Sequence, residues 1–202
     1  MQPKDHHDWA SERYVDEWVK RQQSEDPARA ERFQLMCDRF PFPREAAVTI
    51  LDLGAGYGPV SAFILDRYPN ATCIGQDGSK PMLDRALKLM AKYGERFKTI
   101  ESDLFATDWL PTRLGLLDAA VSSICLHNLR DFTRIGEIYG EVRDGLKPGG
   151  IFLNLDLVNA PGETGPFPAN LDQQLAALKA TGYKSVDCFW KDARRALFGG
   201  YA

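Results

Sequence analysis

The sequence has little of what marks a secreted, membrane-bound or metal-dependent protein. Its four cysteines include no Cys-x-x-Cys pair, so neither a zinc site nor a disulfide framework is indicated. No segment approaches the roughly 18 uninterrupted apolar residues of a membrane span, and the first ten residues are too polar for a signal peptide. We therefore expect a cytoplasmic protein with no metal and no membrane partner.

The sequence also lacks an excess of charge of either sign. It has 25 Lys and Arg against 28 Asp and Glu, a formal net charge of −3, so no basic surplus attracts phosphate backbones. On this ground we expect no nucleic-acid partner. With 202 residues, 44% of them hydrophobic, the chain is long enough for one domain with a short appendage.

Helical spacing predicts two helices within residues 8–40. Tyr14 and Trp18 share one side of the first helix. Pro27 fits the first turn of the second helix, which ends before the prolines at 41 and 43. We interpret residues 1–44 as an N-terminal helical appendage or lid, and residues 45–202 as the main domain.

From Val48 onward, strands and helices alternate. Strands are predicted at 48–53, 72–76, 97–101, 118–125, 151–157, 185–190 and 195–200, with helices at 59–68, 79–93, 132–146 and 171–181. This alternation is typical of a mostly parallel sheet with helices on both faces. The link 191–194 is too short for a parallel crossover, so the last two strands should form an antiparallel hairpin.

The first chemical signal is the segment Asp52-Leu53-Gly54-Ala55-Gly56-Tyr57-Gly58, which follows the first strand. Its glycines allow a tight turn and a ligand close to the backbone. A dinucleotide fingerprint would need glycine where this chain has Pro59. The carboxylate of Asp52 suits a ligand with positive charge and amino groups better than a pyrophosphate.

Two more carboxylates follow the next two strands. Asp77 lies 77 − 58 = 19 residues after Gly58, where an acid hydrogen-bonds ribose hydroxyls; the alternative is a helix cap. Asp103 can accept a hydrogen bond from an adenine amino group beside the apolar Leu104, or can be a solvated loop acid. All three signals lie at carboxyl ends of strands, where open α/β sheets bind ligands.

In this ordered set of motifs the chain resembles the class I S-adenosylmethionine-dependent methyltransferases over most of its length. The motifs are the glycine loop, Gln76-Asp77-Gly78-Ser79 with Pro81-Met82-Leu83, Ser102-Asp103-Leu104, Leu117-Asp118-Ala119-Ala120-Val121-Ser122-Ser123, Leu146-Lys147-Pro148-Gly149-Gly150 and the final hairpin strand Asp187-Cys188-Phe189-Trp190-Lys191. The resemblance implies a Rossmann-like seven-stranded α/β sheet of order 3-2-1-4-5-7-6, with strand 7 antiparallel. It also implies S-adenosylmethionine as cofactor and S-adenosylhomocysteine as product.

The resemblance assigns roles to residues of the motifs. It places Gly54, Ala55 and Gly56 along the methionine moiety with Asp52 near its ammonium, Asp77 on the ribose, Gly78 and Met82 beside the adenine, Asp103 and Leu104 at the adenine edge, and Ser122 and Ser123 facing the sulfonium and the acceptor. Gly78 departs from the family, which more often has a larger residue there.

Three side chains outside the motifs are candidates for the same site. His127, the sole histidine outside the N-terminal tail, is either the general base for the acceptor or a support for its loop. Tyr14 either closes over the cofactor, its ring facing the sulfonium, or packs the first helix onto the domain. Arg21 could reach the cofactor carboxylate.

The acceptor has the weakest sequence signal. We expect methyl transfer to an O, N or S atom of a small molecule. The short connection 159–170 leaves the acceptor side open, so a cofactor-binding protein without transfer activity stays in competition with the enzyme. So do a tRNA methyltransferase and, on a related sheet, a nicotinamide-dependent oxidoreductase. The oligomeric state has no signature in the sequence.

Overall fold

The computed structural model describes residues 7–24, 26–111, 115–160, 163, 165 and 167–202. The strands are β1 (Thr49–Leu53), β2 (Thr72–Asp77), β3 (Phe97–Glu101), β4 (Leu117–Ser123), β5 (Leu146–Leu157), β6 (Lys184–Lys191) and β7 (Arg195–Tyr201). The helices are α1 (Glu12–Gln23), α2 (Asp26–Cys37), α3 (Pro59–Arg67), α4 (Lys80–Met90), α5 (Phe132–Gly145) and α6 (Leu171–Ala180). Residues 1–6 of the predicted appendage and part of the connection 159–170 lie outside the described residues.

The strands form one sheet of order β3-β2-β1-β4-β5-β7-β6. All neighbouring pairs are parallel except those of β7, which runs antiparallel to both β5 and β6. The predicted fold class is therefore confirmed. Because β1 lies between β2 and β4, the chain reverses its direction of progress across the sheet at β1. The loops after these three strands consequently meet at one edge, where such sheets bind ligands.

Helices cover both faces of the sheet because successive side chains of a strand point in opposite directions. Ile50 belongs to a buried cluster that includes Val60 and Ile64 of α3. Its neighbour Leu51 belongs to a second cluster, which includes Ile135 and Ile138 of α5. Burial on both faces explains the continuous apolar run of β1.

The start of β5 differs from the prediction. The strand begins at Leu146, whereas the sequence pattern placed its start at Ile151. Leu117 pairs with Leu146 but Ala119 pairs with Ile151, so the register shifts where β5 contributes extra residues. Gly149 has a φ of +79°, a conformation open to glycine that lets the chain form this irregularity while staying in the sheet.

The N-terminal helices pack directly on the sheet domain. Phe33 and Met36 of α2 are buried in the same cluster as Ile50. Arg85 of α4 donates to the carboxylates of Glu12 and Asp16 of α1, both at 2.7 Å. The division at residue 44 stays a prediction, since α2 shares the core of the residues that follow it.

Within the part of the chain that the structure describes, no helix combines the length and the apolar character needed to cross a membrane.

Candidate functional site

A cavity of about 400 Å³ lies at the carboxyl ends of β1, β2 and β4. This volume is within the range of small-molecule sites. Its wall includes nine of the predicted cofactor residues: Gly54, Ala55, Gly56, Asp77, Gly78, Met82, Asp103, Leu104 and Ser123. The fold thus brings together residues that follow β1, β2, β3 and β4, as their positions at the strand ends suggested.

The glycine loop is held in place by a buried glutamine that the sequence analysis did not single out. The N–H of Gly54 donates to Gln76 Oε1 at 3.2 Å, and the N–H of Ala55 donates to the Gln76 carbonyl at 2.9 Å. Gln76 Nε2 in turn donates to the Ser102 carbonyl at 2.7 Å. The signal that could have identified Gln76 is its side-chain amide within a buried strand. Buried polar groups are almost always hydrogen-bonded, so such a side chain is expected to have a partner.

Gly54 occupies a position that no other residue fits. Its φ is +60°, and a Cβ atom there would lie 2.0 Å from the Sγ atom of Cys125. The loop after β4 therefore contacts the glycine loop directly. Gly78 is different, because a Cβ there would meet the Ser102 carbonyl oxygen at an ordinary 3.6 Å. The departure from the family at Gly78 is thus not forced by space.

Asp77 joins the glycine loop to the start of α4. Its Oδ2 accepts from the N–H of Gly56 at 2.8 Å, and its Oδ1 accepts from the N–H of Ser79 at 2.8 Å. Burial raises the pKa of Asp77, and these amide hydrogen bonds act in the opposite direction. Each carboxylate oxygen accepts more than one hydrogen bond. Asp77 therefore keeps acceptor capacity on the cavity wall.

Asp52, at the end of β1, is buried and is not part of the cavity wall. Its Oδ2 accepts from the Ser61 N–H at 3.2 Å and from the Ser61 hydroxyl at 2.7 Å, while Oδ1 has no partner. Burial raises the pKa of Asp52 to about 7, opposed by the bonds from Ser61 and assisted by the charge of Asp77. Because Asp52 lies outside the cavity wall, its predicted role near the ammonium group would have to be indirect.

The loop after β3 is anchored by an arginine that the sequence analysis did not identify. Arg134 of α5 donates to the Leu104 carbonyl at 2.7 Å and pairs with Glu141 at 2.7 Å. The carboxylate of Glu141 also accepts from the indole N–H of Trp109. Asp103 Oδ1 accepts from the Phe105 N–H at 2.9 Å. These contacts hold Asp103 and Leu104 against the cavity.

Aromatic rings from α1 and the residues before it cover the cavity. Trp9 and Trp18 are part of its wall, with ring centroids 5.4 Å apart in an edge-to-face arrangement. Tyr14 is not part of the wall: its ring packs edge-on against Trp9 at 5.3 Å, and its hydroxyl bonds to the ring of His7. A contact between Tyr14 and the cofactor stays a prediction.

A single arginine of α2 contributes to the cavity wall. Arg29 lines the cavity, whereas Arg21, which the sequence suggested for the cofactor carboxylate, does not. Arg29 Nη1 donates to the Tyr57 hydroxyl at 2.7 Å, so the guanidinium is held beside the glycine loop.

The end of β4 separates its two predicted serines. Ser123 is part of the cavity wall, whereas Ser122 is fully buried inside the sheet and is not. The alternation of side chains along a strand explains why neighbours differ in this way. The predicted role of Ser122 would therefore have to be indirect.

His127 lies in a short 3₁₀ helix, Leu126–Leu129, after β4. Its Nδ1 is 2.6 Å from Asp156 Oδ1, and its N–H donates to Asp156 Oδ2 at 3.0 Å. The ring is not part of the cavity wall, although the adjacent Asn128 is. Asp156 was not predicted from the sequence. The signal that could have identified it is its position as an acid within the apolar run of β5. The geometry is compatible with both roles considered for His127.

Comparisons with known proteins define the family. A family model described as a methyltransferase domain matches residues 50–150, which is half of the chain. The chain therefore belongs to this methyltransferase family. With the sheet order above, it is a class I S-adenosylmethionine-dependent methyltransferase domain, and S-adenosylmethionine is the cofactor of that class. The recognition from sequence motifs is confirmed, as are the predictions of an enzyme and of this cofactor.

Two curated relatives share about a third of their residues with this chain over the aligned region. The malonyl-[acyl-carrier protein] O-methyltransferase of Xylella fastidiosa is 32% identical over 104 residues, which is 52% of this chain and 33% of that protein. The ubiquinone/menaquinone biosynthesis C-methyltransferase of Desulfotalea psychrophila is 31% identical over 107 residues, 53% of this chain and 40% of that protein. The chain thus spans less than half the length of either relative.

A solved structure with the same fold is phosphoethanolamine N-methyltransferase 2 of Haemonchus contortus, in complex with phosphomonomethylethanolamine and S-adenosylhomocysteine. The TM-score is 0.63 at 21% identity, over 78% of this chain and 38% of that one. These three proteins are named for methylation at oxygen, carbon and nitrogen. The methyltransferase family is shown by the family model, and these three proteins leave the acceptor undetermined.

Proposed function

We propose that the protein transfers a methyl group from S-adenosylmethionine to a nucleophilic O, N or S atom of a small-molecule acceptor. The observation that carries this proposal is the joint placement of Asp77, the glycine loop and Ser123 on one cavity. Residues suited to holding the nucleoside and the amino-acid part of the cofactor thereby lie beside the end of β4, from which an acceptor can approach.

The wall residues fit the chemical parts of the cofactor. Asp77 would accept hydrogen bonds from the ribose hydroxyls. Backbone amides hold its carboxylate in place, and each of its oxygens can accept a further hydrogen bond. Asp103 and Leu104 would bind the edge of the adenine. Asp52, which is buried outside the wall and has an unpartnered Oδ1, would hold the ammonium group through water, and Arg29 would pair with the carboxylate.

The aromatic cover has two effects on the bound cofactor. Trp9 and Trp18 would shield the cavity from water, and aromatic faces within about 6 Å of a cation stabilise it. When bound, S-adenosylmethionine supplies a methyl group already activated by a positive sulfur. The protein's task is then to align the acceptor, and good alignment lowers a barrier by roughly 7–11 kcal/mol.

A general base is a separate part of the proposal. His127 would take the proton from a hydroxyl or amine acceptor. Asp156 supports this role because a carboxylate beside Nδ1 would favour the tautomer with its proton on Nδ1, in which Nε2 is the acceptor. Acceptors that are already anionic need no such base, so methyl transfer does not depend on His127 for every acceptor class.

The proposal is tested by thermal unfolding with S-adenosylmethionine, S-adenosylhomocysteine and NAD in parallel. A ligand at 100 times its dissociation constant adds about 2.7 kcal/mol, which is about 5–10 °C for a protein of this size. We expect this shift with both sulfur nucleosides and none with NAD. Failure of both to shift the melt, or a shift with NAD alone, would overturn the proposal.

A pair of variants ties that shift to the cavity. Asp77→Asn should abolish most of the shift, because an amide presents only one acceptor atom to the ribose and the loop. Asp84→Asn is the matched control, since Asp84 lies outside the cavity wall and pairs with Lys80 at 2.8 Å. Equal shifts in the two variants would remove Asp77 from the binding site. Incubation with radiolabelled cofactor and with tRNA or small-molecule extracts then separates the acceptor classes.

A further inference from the structure

A second, smaller cavity of about 160 Å³ adjoins the cofactor cavity. It lies between α2 and the carboxyl ends of β4 and β5. Arg29, Ser123 and Ile124 are part of the walls of both cavities. A group bound in the smaller cavity would therefore be next to the end of β4, on the side away from Asp77.

The walls of the smaller cavity carry three guanidinium groups: those of Arg29 and Arg32, one helical turn apart on α2, and that of Arg195 at the start of β7. Since β7 is antiparallel to β5, Arg195 pairs with Leu157 and lies at the same edge of the sheet. Among the described residues that line this cavity, none is an aspartate or a glutamate. We call it the arginine cavity.

The contacts of these arginines fix their positions. Arg29 Nη1 donates to the Gln22 carbonyl at 3.3 Å, in addition to its bond to Tyr57. Arg195 Nε donates to Asp192 Oδ2 at 2.9 Å. Arg32 is buried, with 9% of its surface exposed. A guanidinium has five N–H donors, so an arginine whose position is fixed by one or two contacts can still donate to a further anion.

The boundary between the two cavities is strained. Ile124 has a φ of +53°, an outlier for a β-branched residue, and its N–H donates to the Leu155 carbonyl at 2.8 Å. Strained backbone of this kind is concentrated at functional sites, where the surroundings force it. Here the strain places Ile124 against both the cofactor cavity and the arginine cavity.

We propose that the arginine cavity is the acceptor subsite and that Arg32 and Arg195 bind the anionic group, a carboxylate or a phosphate, of the methyl acceptor, while Arg29 is left to the cofactor carboxylate. Its volume corresponds to roughly five water molecules of about 30 Å³ each, enough for one such group and not for a whole acceptor. The forked donors of arginine match the oxygens of both anions. This inference rests on the proposed function and adds the chemical class of the acceptor to it.

The test is a set of thermal melts with sodium phosphate or sodium acetate, titrated at constant ionic strength against sodium chloride. Each titration is made with and without saturating S-adenosylhomocysteine. We expect stabilisation by at least one of the two anions, at a site that S-adenosylhomocysteine does not block. Phosphate alone would identify a phosphate-bearing acceptor, and acetate alone a carboxylate-bearing one. Stabilisation by neither anion overturns the inference.

Variants assign the anion effect to the arginine cavity. Arg195→Gln, at a side chain that is 32% exposed, and Arg32→Gln should each raise the anion's apparent Kd about tenfold. Arg13→Gln is the matched control: its side chain is 89% exposed and pairs with Glu17, so the Kd should not change. Equal losses in control and cavity variants overturn the inference.

The same variants separate this inference from the proposed function. Arg195→Gln should leave the affinity for S-adenosylhomocysteine unchanged. A loss of that affinity in Arg195→Gln and Arg32→Gln, without an effect on anions, would mean that the cavity serves the cofactor carboxylate. If S-adenosylhomocysteine fails to bind the unmodified protein, the proposed function falls, while arginine-dependent anion binding without it still stands as a separate result.

Discussion

The imidazole of His127 and the buried carboxylate of Asp156 form a pair, with Nδ1 and Oδ1 2.6 Å apart. The same carboxylate accepts the backbone N–H of His127 through Oδ2 at 3.0 Å. Asp156 therefore fixes both the ring and the backbone of this residue. Asn128 and Leu129, which follow His127 in the chain, are part of the cavity wall. The His127–Asp156 pair therefore connects β5 to the cavity.

The base role of His127 is measurable through the pH dependence of turnover. A base must be neutral to accept a proton, so turnover of the unmodified enzyme should fall on acidification. In His127→Gln we expect turnover to drop about 100-fold and this acid limb to disappear, with affinity for S-adenosylhomocysteine within about twofold. Asp156→Asn should show a smaller drop.

A different outcome would assign His127 a supporting role. If His127→Gln and Asp156→Asn lose cofactor affinity and thermal stability together while the pH profile keeps its shape, the pair anchors the turn after β4. Asp187→Asn, at an exposed carboxylate of β6, is the control for the loss of an acid in the sheet.

Asp52 makes stability depend on pH. Its pKa is raised by burial from 3.8 to about 7, so between these values the folded protein holds a proton that the unfolded chain has released. The free energy of unfolding should therefore decrease as pH rises from 3.8 to about 7, by up to about 4 kcal/mol from this group. Asp52→Asn cannot titrate and should be the more stable protein above pH 7.

The measurement is urea unfolding of the ligand-free protein between pH 4 and 8. The difference between Asp52→Asn and the unmodified protein isolates Asp52 from other titrating groups. It should be smallest near pH 4 and grow towards pH 8. Asp84→Asn serves as the control at an exposed carboxylate. Parallel curves for Asp52→Asn and the unmodified protein would contradict the prediction.

The contact between Gly54 and Cys125 predicts a sharp difference between two glycines. Gly54→Ala would place Cβ 2.0 Å from Sγ, whereas Cβ in Gly56→Ala would have Met82 Sδ at 4.0 Å as its neighbour. Both glycines have a φ near +60°, so backbone strain is similar in the two variants. We expect Gly54→Ala to lose at least tenfold more affinity for S-adenosylhomocysteine than Gly56→Ala. Titration calorimetry measures the difference.

The double variant Gly54→Ala/Cys125→Gly checks the cause. Removal of the cysteine side chain eliminates the clash and should restore part of the lost affinity. If the double variant binds no better than Gly54→Ala, the contact with Cys125 is not what restricts the position.

Trp18 and Tyr14 should differ in their effect on cofactor binding. The Trp18 ring is on the cavity wall, whereas the Tyr14 ring lies against Trp9 and outside the wall. Trp18→Ala should raise the dissociation constant of S-adenosylmethionine about tenfold. The variant loses an aromatic contact with the cation, which contributes about 1 kcal/mol when the ring is partly exposed, and it also loses apolar contact. Tyr14→Ala should mainly lower the melting temperature. A larger affinity loss for Tyr14→Ala would support its predicted contact with the cofactor.

Local patterns in the sequence were enough to predict the strands, the helices and the three acids at the strand ends, whereas the strand order and the other site roles came from the resemblance to a known family. Strand burial, helix spacing and the short 191–194 link determine which elements form and which pair must be antiparallel. The acids at the strand ends follow from the same patterns, because parallel strands bring their carboxyl ends to one edge. The irregular start of β5 was missed because Lys147-Pro148-Gly149-Gly150 has the composition of a turn, whereas Leu146 before it already pairs with Leu117 of β4.

Only the tertiary structure decided which side chains complete the site. Arg29 and Arg195 are 195 − 29 = 166 residues apart, and no periodicity relates them, yet both line the arginine cavity. Two further features could not be predicted from the sequence for the same reason. They are the pairing of His127 with Asp156 and the presence of Trp18, and not Tyr14, in the cavity wall. Such contacts depend on how helices dock on the sheet and on which rotamers the packing selects. The sequence thus determined the elements and the edge where the acids meet, and its family resemblance gave the strand order, whereas the convergence of side chains from distant segments required the folded chain.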